Sequence, residues 1–139
     1  DRGGKITYHG PGQIIIYPII NLTKYKITVK EFVSLLENSI MQFLAKLNVS
    51  SCTKKDAPGV YIGESKIASI GLRLKKHFTY HGLSMNINMD LDPFSSIDPC
   101  GFKNLTMTQL SSFNNDYTKE QCAQGIIELF QHNLQKYHE

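Results

Sequence analysis

The chain has 139 residues, a common size for a single domain, and its 15 Lys and Arg residues against 12 Asp and Glu residues give a net charge of +3. A hydrophobic fraction of 41% is typical of a globular domain and argues against a disordered chain. There is no run of Lys and Arg, so we expect no nucleic-acid partner, and the longest apolar stretch, residues 14–20, is too short to cross a bilayer. The 3 cysteines include no Cys-X-X-Cys pair, which argues against a disulfide framework or a zinc ribbon and favours a reducing compartment, the cytoplasm.

Two strands are predicted near the start of the chain, and no signal peptide is visible before them. Lys5 to His9 is predicted to be a short strand, followed by a turn rich in Gly and Pro over residues 9–12. Gln13 to Ile20 is almost entirely apolar, which is typical of a strand buried on both faces. Pro18 cannot donate a backbone hydrogen bond, so this strand is expected near a sheet edge or a bulge.

A helix is predicted from Thr28 to Leu47. Thr28 and Glu31 have the spacing of a capping box, in which each side chain accepts the backbone N–H of the other residue. Polar residues such as Glu37 fall outside the apolar stripe of this helix. The stripe recurs every three or four residues and consists of Phe32, Leu35, Leu36, Ile40, Phe43, Leu44 and Leu47. We therefore expect a helix that packs on a sheet.

The middle of the chain is predicted to be rich in strands. Residues 59–62 and 66–74 have the pattern of a hairpin around Gly63-Glu64-Ser65. From Leu83 to Asp90 apolar and polar residues alternate, which predicts a strand with one apolar and one polar face. Asp92-Pro93 ends that strand, and residues 98–102 are predicted to form a turn.

A second helix is predicted from Thr118 to about Tyr137, with Thr118 and Gln121 as its capping box. Its apolar stripe consists of Cys122, Ile126, Ile127, Phe130 and Leu134. Strands mixed with two flanking helices predict an α+β or α/β domain.

Cys100 and Lys66 are the residues with the clearest chemical potential. Cys100 stands between Pro99 and Gly101 in a predicted turn, where a reactive thiol fits better than a core residue, although one loop cysteine is more often structural. Lys66 opens a strand of small and apolar residues, and it is either a solvated strand end or a desolvated amine that acts as a base. Cys52, in a predicted polar loop, and Cys122, on the apolar stripe of the second helix, have ordinary structural contexts.

Metal and phosphate chemistry have little support in the sequence. His9 and His81 each precede a glycine, but no His, Cys or Asp spacing is typical of a metal site. The Gly-rich phosphate-binding patterns of nucleotide enzymes are absent. We therefore expect neither a metal nor a cofactor.

Taken together, five motifs resemble the lipoyl(octanoyl) transferase family, the octanoyl-[acyl-carrier-protein]:protein N-octanoyltransferases. The resemblance runs in order from residue 1 to about Leu110, and the last thirty residues match only as a helix. Its motifs are residues 1–13, 56–63, 66–73, 81–91 and 99–101. Family members carry a substantial segment before the Arg-Gly-Gly motif, so we expect residues 1–139 to form one catalytic domain that is incomplete at its N-terminus.

The resemblance implies a mixed sheet flanked by helices, related to biotin protein ligases and lipoate ligases. It implies that Cys100 is the acyl-accepting nucleophile and that Lys66 is the catalytic lysine. Three further segments match where the family binds the acyl chain and its thioester: Arg2, Gly3, Gly4, Lys5, Ile6, Thr7, Tyr8 and His9; Ser69, Ile70 and Gly71; His81, Gly82, Leu83 and Ser84.

The implied reaction moves an octanoyl group from acyl carrier protein to a lysine of a lipoyl domain, in lipoate biosynthesis. Cys100 would take the acyl group as a thioester, and Lys66 would act as general base in both steps. The implied acceptors are the lipoyl domains of 2-oxoacid dehydrogenases and the glycine cleavage H protein. The expected enzyme is a monomer that acts without membrane or nucleic acid.

Two alternatives remain open at this point. One is an ATP-dependent lipoate or biotin ligase on the same fold, against which the pair of Cys100 and Lys66 argues, because a ligase activates its acid as an adenylate. The other is a non-catalytic protein that binds acyl carriers or lipoyl domains.

Overall fold

The computed structural model of this protein describes residues 10–96 and 106–137. The strand predicted over residues 5–9 and the turn predicted over 98–102 lie outside the described residues. So do Cys100 and the whole predicted binding segment from Arg2 to His9. What the sequence indicates for those residues therefore stays a prediction.

A six-stranded mixed sheet forms the centre of the described structure. Its strands are β1 (Gln13–Ile16), β2 (Cys52–Lys54), β3 (Ala57–Ile62), β4 (Ser65–Lys75), β5 (Phe78–Asn86) and β6 (Thr106–Met107). The antiparallel order is β1-β5-β4-β3-β2, and β6 pairs in parallel with the start of β4. Short 3₁₀ helices cover Asp92–Ser96 and Leu110–Ser112.

Three helices accompany the sheet: α1 (Leu22–Tyr25), α2 (Val29–Lys46) and α3 (Lys119–Gln135). Both predicted capping boxes are present, with Thr28 and Glu31 at the start of α2 and Thr118 and Gln121 at the start of α3. The rings of Phe32 and Phe130 meet edge to face at 5.7 Å and join the two long helices. Within the described residues, no helix combines the length and apolar character that a membrane crossing requires.

One face of the sheet is apolar and is covered by α2 and α3. The predicted stripe of α2 is buried from Phe32 to Leu47 and shares one core with sheet residues that include Ile14, Val60 and Met85. The opposite face carries polar side chains, and we call it the polar face. Its members are assigned by strand alternation and pairing register: Gln13, Tyr61, Lys66, Ser69, Ser84 and Asn86. The α+β fold with a mixed sheet and packed helices is thus confirmed.

Three predictions about the strands need correction. The strand predicted over residues 13–20 is β1, and it ends at Ile16. This part of the chain is not buried on both faces, because Ile15, Tyr17 and Ile19 are 41%, 58% and 67% exposed. It lies at the end of the described sheet, as Pro18 indicated. The alternating strand ends at Asn86, short of the predicted Asp90. The sequence pattern does not indicate α1, β2 or β6, because these elements are too short to show a period.

Candidate active site

Lys66 is placed on the polar face by an irregularity in the pairing of β3 with β4. Val60 pairs with Ala68 whereas Tyr61 pairs with Lys66, so Ile67 is one extra residue in β4. Such a bulge reverses the alternation of side chains along the strand. Without it, Lys66 would share the apolar face with Ala68; with it, Lys66 shares the polar face with Tyr61.

The amine end of Lys66 occupies space that the missing side chain of Gly59 leaves open. A Cβ at Gly59 would lie only 2.6 Å from Lys66 Cε and 2.6 Å from the Ala68 carbonyl oxygen. Gly59 also has φ +143°, a conformation that residues with a side chain rarely adopt. Lys66 Nζ lies 5.8 Å from the centre of the Tyr61 ring, and the Lys66 residue is only 1% exposed.

Glu37 of α2 holds the backbone at Gly59 from the helix side of the sheet. The backbone N–H of Gly59 donates to Glu37 Oε2 at 3.0 Å. Burial raises the pKa of the Glu37 carboxyl above its ordinary value of 4.5, and the hydrogen bond from Gly59 opposes that shift. Helix α2 is thereby connected, through one backbone amide, to the residue that Lys66 packs against.

Asn86 connects the strands that border Lys66. Its amide oxygen accepts from Gln13 Nε2 at 2.9 Å, and its amide nitrogen donates to the Thr108 carbonyl at 2.9 Å. The Thr108 N–H in turn donates to the Lys66 carbonyl at 2.9 Å. These bonds fix β1, β5 and the segment after β6 around the start of β4.

The predicted binding residues of β4 and β5 divide between the two faces. Ser69 and Ser84 are direct cross-strand partners on the polar face, the face of Lys66. Ile70 and Leu83 pair on the apolar face, where Leu83 is in the core and Ile70 packs against it. Any contact of these two residues with a ligand on the polar face would therefore use their backbone.

Gly71 and Gly82 belong to the predicted binding segments and pair with each other, next to the pair of Ile70 and Leu83. An added Cβ at Gly82 would collide with the Ile16 carbonyl oxygen and with Pro18. The glycine at 82 is therefore required by the neighbouring strand, whatever the ligand. His81 lies in β5 opposite Leu72.

The two cysteines that the structure describes, Cys52 and Cys122, differ in their exposure. Cys122 is fully buried on α3, and burial raises the pKa of its thiol, which disfavours the reactive thiolate. Cys52 is exposed on β2, not in the loop that the sequence suggested. In residues 10–96 and 106–137, no group of three or more His, Cys, Asp or Glu side chains could hold a metal ion.

Comparison with known proteins assigns the family. The profile of the lipoyl protein ligase A/B catalytic domain matches residues 1–131. The chain belongs to this family. Among curated relatives, octanoyltransferase of Shewanella woodyi is 46% identical over 134 residues, which are 96% of this chain and 61% of that protein. Octanoyltransferase of Escherichia coli is 44% identical over 128 residues, which are 92% of this chain and 60% of that protein.

The chain therefore spans about three-fifths of the length of these relatives. Solved structures of two ligases share its fold. Biotin protein ligase from Aquifex aeolicus superposes with a TM-score of 0.74 at 18% identity, covering 91% of this chain and 54% of the ligase. A lipoate-protein ligase A bound with ATP superposes with a TM-score of 0.71 at 15% identity, covering 96% of this chain and 56% of the ligase. At such identities the likeness concerns the fold alone.

Sequence reasoning missed Glu37 and the bulge at Ile67. Glu37 falls on the polar side of the α2 pattern, yet it is 9% exposed because α2 lies against β3 at that point. Gly59 lies in the motif of residues 56–63, and its place directly after Pro58 is a local signal of unusual backbone. No local signal marks the bulge, because a bulge is a property of two strands.

We expect Gly59→Ala to destabilise the protein by about 3 kcal/mol, because the added methyl group meets both strain and crowding against Lys66. Gly63→Ala is the matched control, since Gly63 also has a positive φ, +61°, but nothing within 4 Å of the added carbon. The control should lose about 1 kcal/mol. Urea unfolding measures both free energies, and equal losses would contradict the crowding described at Gly59.

We expect Glu37→Gln to change the pH dependence of stability. Because the pKa of Glu37 is raised in the folded state, the folded protein retains a proton that the unfolded chain releases above pH 4.5. The free energy of unfolding of the wild type should therefore fall, relative to Glu37→Gln, as the pH rises above 4.5. Parallel stability curves from pH 4 to 8 would rule out this contribution.

Glu37→Ala separates the hydrogen bond from the charge. It leaves the Gly59 N–H without its carboxylate acceptor, which costs about 1–3 kcal/mol at every pH. The Gln variant keeps an acceptor oxygen, so the Ala variant should be the less stable of the two throughout the titration. Equal stability of the two variants would mean that the Gly59 hydrogen bond contributes little.

Proposed function

We propose that this protein is an octanoyltransferase that carries its acyl group on Cys100 and uses Lys66 as general base. The proposal rests on the family, on the 44–46% identity to curated octanoyltransferases, and above all on the burial of Lys66 on the polar face. A lysine retained in a buried site, in space kept open by a strained glycine, is typical of a functional rather than a structural lysine.

The reaction has two half-reactions. The Cys100 thiol gives its proton to Lys66 and attacks the octanoyl thioester of acyl carrier protein, whose thiolate leaves with a proton. The acceptor lysine of a lipoyl domain then attacks the acyl-enzyme, an amide forms, and the Cys100 thiol is restored. Lys66 accepts the proton of the attacking amine. Exchange between thioesters is nearly balanced in free energy and amide formation is favourable, so the two half-reactions need no ATP.

Cys100 itself lies outside the described residues, but the chain that follows it is anchored beside Lys66. Thr106 pairs with Ser65, and Met107 pairs with Lys66. The six residues from Cys100 to Thr106 span at most about 21 Å when fully extended. This tether is compatible with an approach of the Cys100 thiol to the Lys66 amine, which the proposed proton transfer requires.

Ser69 and Ser84 supply two hydroxyl groups on the same face of the sheet as Lys66. They stand opposite each other on β4 and β5, on the polar face. Their positions support a role in binding the polar thioester end of the acyl group. The proposed donor is octanoyl-acyl carrier protein, and the proposed acceptors are lipoyl domains, with the reaction in the cytoplasm.

We expect Cys100→Ser to abolish octanoyl transfer, because a serine hydroxyl is hardly ionised near neutral pH. Incubation of the wild type with octanoyl-acyl carrier protein, without ATP, should add one octanoyl mass, which hydroxylamine removes. Cys52→Ser is the control, since Cys52 is exposed on β2 and its loss should leave the mass shift unchanged. Full transfer by Cys100→Ser, or a mass shift that depends on ATP, would contradict the mechanism.

We expect Lys66→Met to slow both half-reactions by about 10²–10⁴-fold, the usual contribution of a general base. It should also move the alkylation of Cys100 by iodoacetamide to higher pH, because a nearby amine favours the thiolate. Lys54→Met is a matched control, since Lys54 Nζ lies 4.7 Å from the same Tyr61 ring but pairs with Glu64. An alkylation profile that is identical in wild type and Lys66→Met would exclude Lys66 as the base.

A further inference from the structure

The acidic and basic residues of this chain are unevenly distributed. Residues 10–30 and 65–89 contain no Asp or Glu, although they hold 7 of the 15 Lys and Arg residues. These two stretches form β1, α1, β4 and β5. These strands and α1 therefore carry cations without any carboxylate, while the net charge of the whole chain is only +3.

Five of these cations lie together at one end of the sheet, and we call them the basic rim: Lys24, Lys26, Arg73, Lys75 and Lys76. All five residues are exposed. The chain around α1 meets the hairpin of β4 and β5 there, because the Leu22 N–H donates to the His77 carbonyl at 3.0 Å and Asn21 bridges to Phe78. Lys24, Lys26, Lys75 and Lys76 form no ion pair with another described residue.

The turn of this hairpin has an unfavourable sequence for its backbone. Lys76 and His77 form a two-residue turn with φ +52° and +72°. Such turns favour Asn-Gly, since a left-handed backbone strains a residue with a longer side chain. The turn therefore keeps a lysine and a histidine at a cost in stability, which is typical of positions retained for function.

Apolar side chains stand among the cations. Phe78 is 46% exposed and is the cross-strand partner of Lys75, so both lie on the polar face, and Leu74, 48% exposed, lies on the opposite face at the same end of the sheet. A charged rim around exposed apolar groups is typical of a protein interface, whereas a surface that binds nucleic-acid phosphates needs no such groups. The combination favours a protein partner with an acidic surface.

We propose that the basic rim is the docking surface for the acidic acyl-donor protein, an inference that rests on the proposed octanoyl transfer. The rim lies at the end of β4 opposite to Lys66, and Arg73 and Lys75 share the polar face with Lys66 by alternation. Seven positions separate Lys66 from Arg73, a path of roughly 23 Å.

That separation distinguishes the donor from the acceptor. An acceptor domain presents its amine on a lysine side chain of four carbons, which is too short for a domain docked on the rim to bring that amine to Lys66. A carrier protein holds its acyl group on a long prosthetic arm. A carrier docked at the rim would therefore reach the polar face with its thioester, whereas an acceptor domain would have to dock closer to Lys66.

The test uses the double variant Lys24→Glu/Lys75→Glu, which reverses the charge at two rim positions, one in α1 and one in β4. Lys55→Glu/Lys119→Glu is the control, since it makes the same change in net charge at exposed residues away from the rim. The rim variant should raise KM for octanoyl-acyl carrier protein about tenfold at low salt, with kcat unchanged. High salt should reduce the difference, because it screens exposed charges. The control should stay within about twofold of the wild type.

Two further measurements separate the possible explanations. A small neutral thioester, octanoyl-N-acetylcysteamine, should show the same KM with all three proteins, and so should the acceptor lipoyl domain. An unchanged KM for the carrier, or an increase for the acceptor instead, would overturn the proposal. Charge reversal that releases the protein from anionic vesicles or an oligonucleotide, with the carrier KM unaffected, would overturn it as well.

Direct binding distinguishes failure of this inference from failure of the proposed function. Titration calorimetry with the unacylated carrier measures docking without any transfer. Binding that the rim variant weakens and the control does not would support the surface even if no octanoyl group moved. Transfer without rim-dependent binding would support only the enzyme activity.

The turn provides an independent test. Lys76→Asn/His77→Gly should raise the melting temperature, because it relieves the left-handed strain. The same variant should weaken carrier binding, since it removes one cation and a histidine from the rim. A variant that is more stable and binds the carrier as the wild type does would contradict the role assigned to this turn.

Discussion

The extra residue at Ile67 is the constraint on which the described part of the active site depends. It changes the face of the sheet to which Lys66 belongs, while Ile67 and Ala68 both remain in the apolar core. A regular strand would have directed a lysine into that core, where burying a charge away from water and from a partner is very costly. The bulge thus resolves a conflict between the hydrophobic pattern of β4 and the chemistry that Lys66 is proposed to perform.

Several neighbouring features follow from this geometry. Gly59 must lack a side chain because Lys66 Cε lies only 2.6 Å from the position that its Cβ would take, and its backbone N–H needs an acceptor. Glu37 supplies that acceptor from α2. The helix layer and the polar face are therefore coupled through a short path, in which a buried carboxylate holds the strand that supports the lysine.

Charge is separated in this molecule on a larger scale as well. The strands that carry Lys66, Ser69 and Ser84 contain no carboxylate, and the cations increase toward the hairpin at residues 75–78. Lys24, Lys26, Lys75 and Lys76 are exposed and form no ion pair with another described residue, so their charges contribute little to stability. Their concentration at one end of the strand that carries the proposed base is better explained by the approach of a charged partner.

The amino-acid sequence by itself determined the features that depend on nearby residues. Both long helices began at the predicted caps, because a capping box closes within four residues, and the hairpin at Gly63 formed where the turn residues stand. The sequence motifs were also sufficient to identify the family. The tertiary structure alone decided the bulge at Ile67, the burial of Glu37 and the exposure of β1. These depend on which strand or helix lies alongside, and cross-strand register and edge position are set by contacts between residues far apart in the chain.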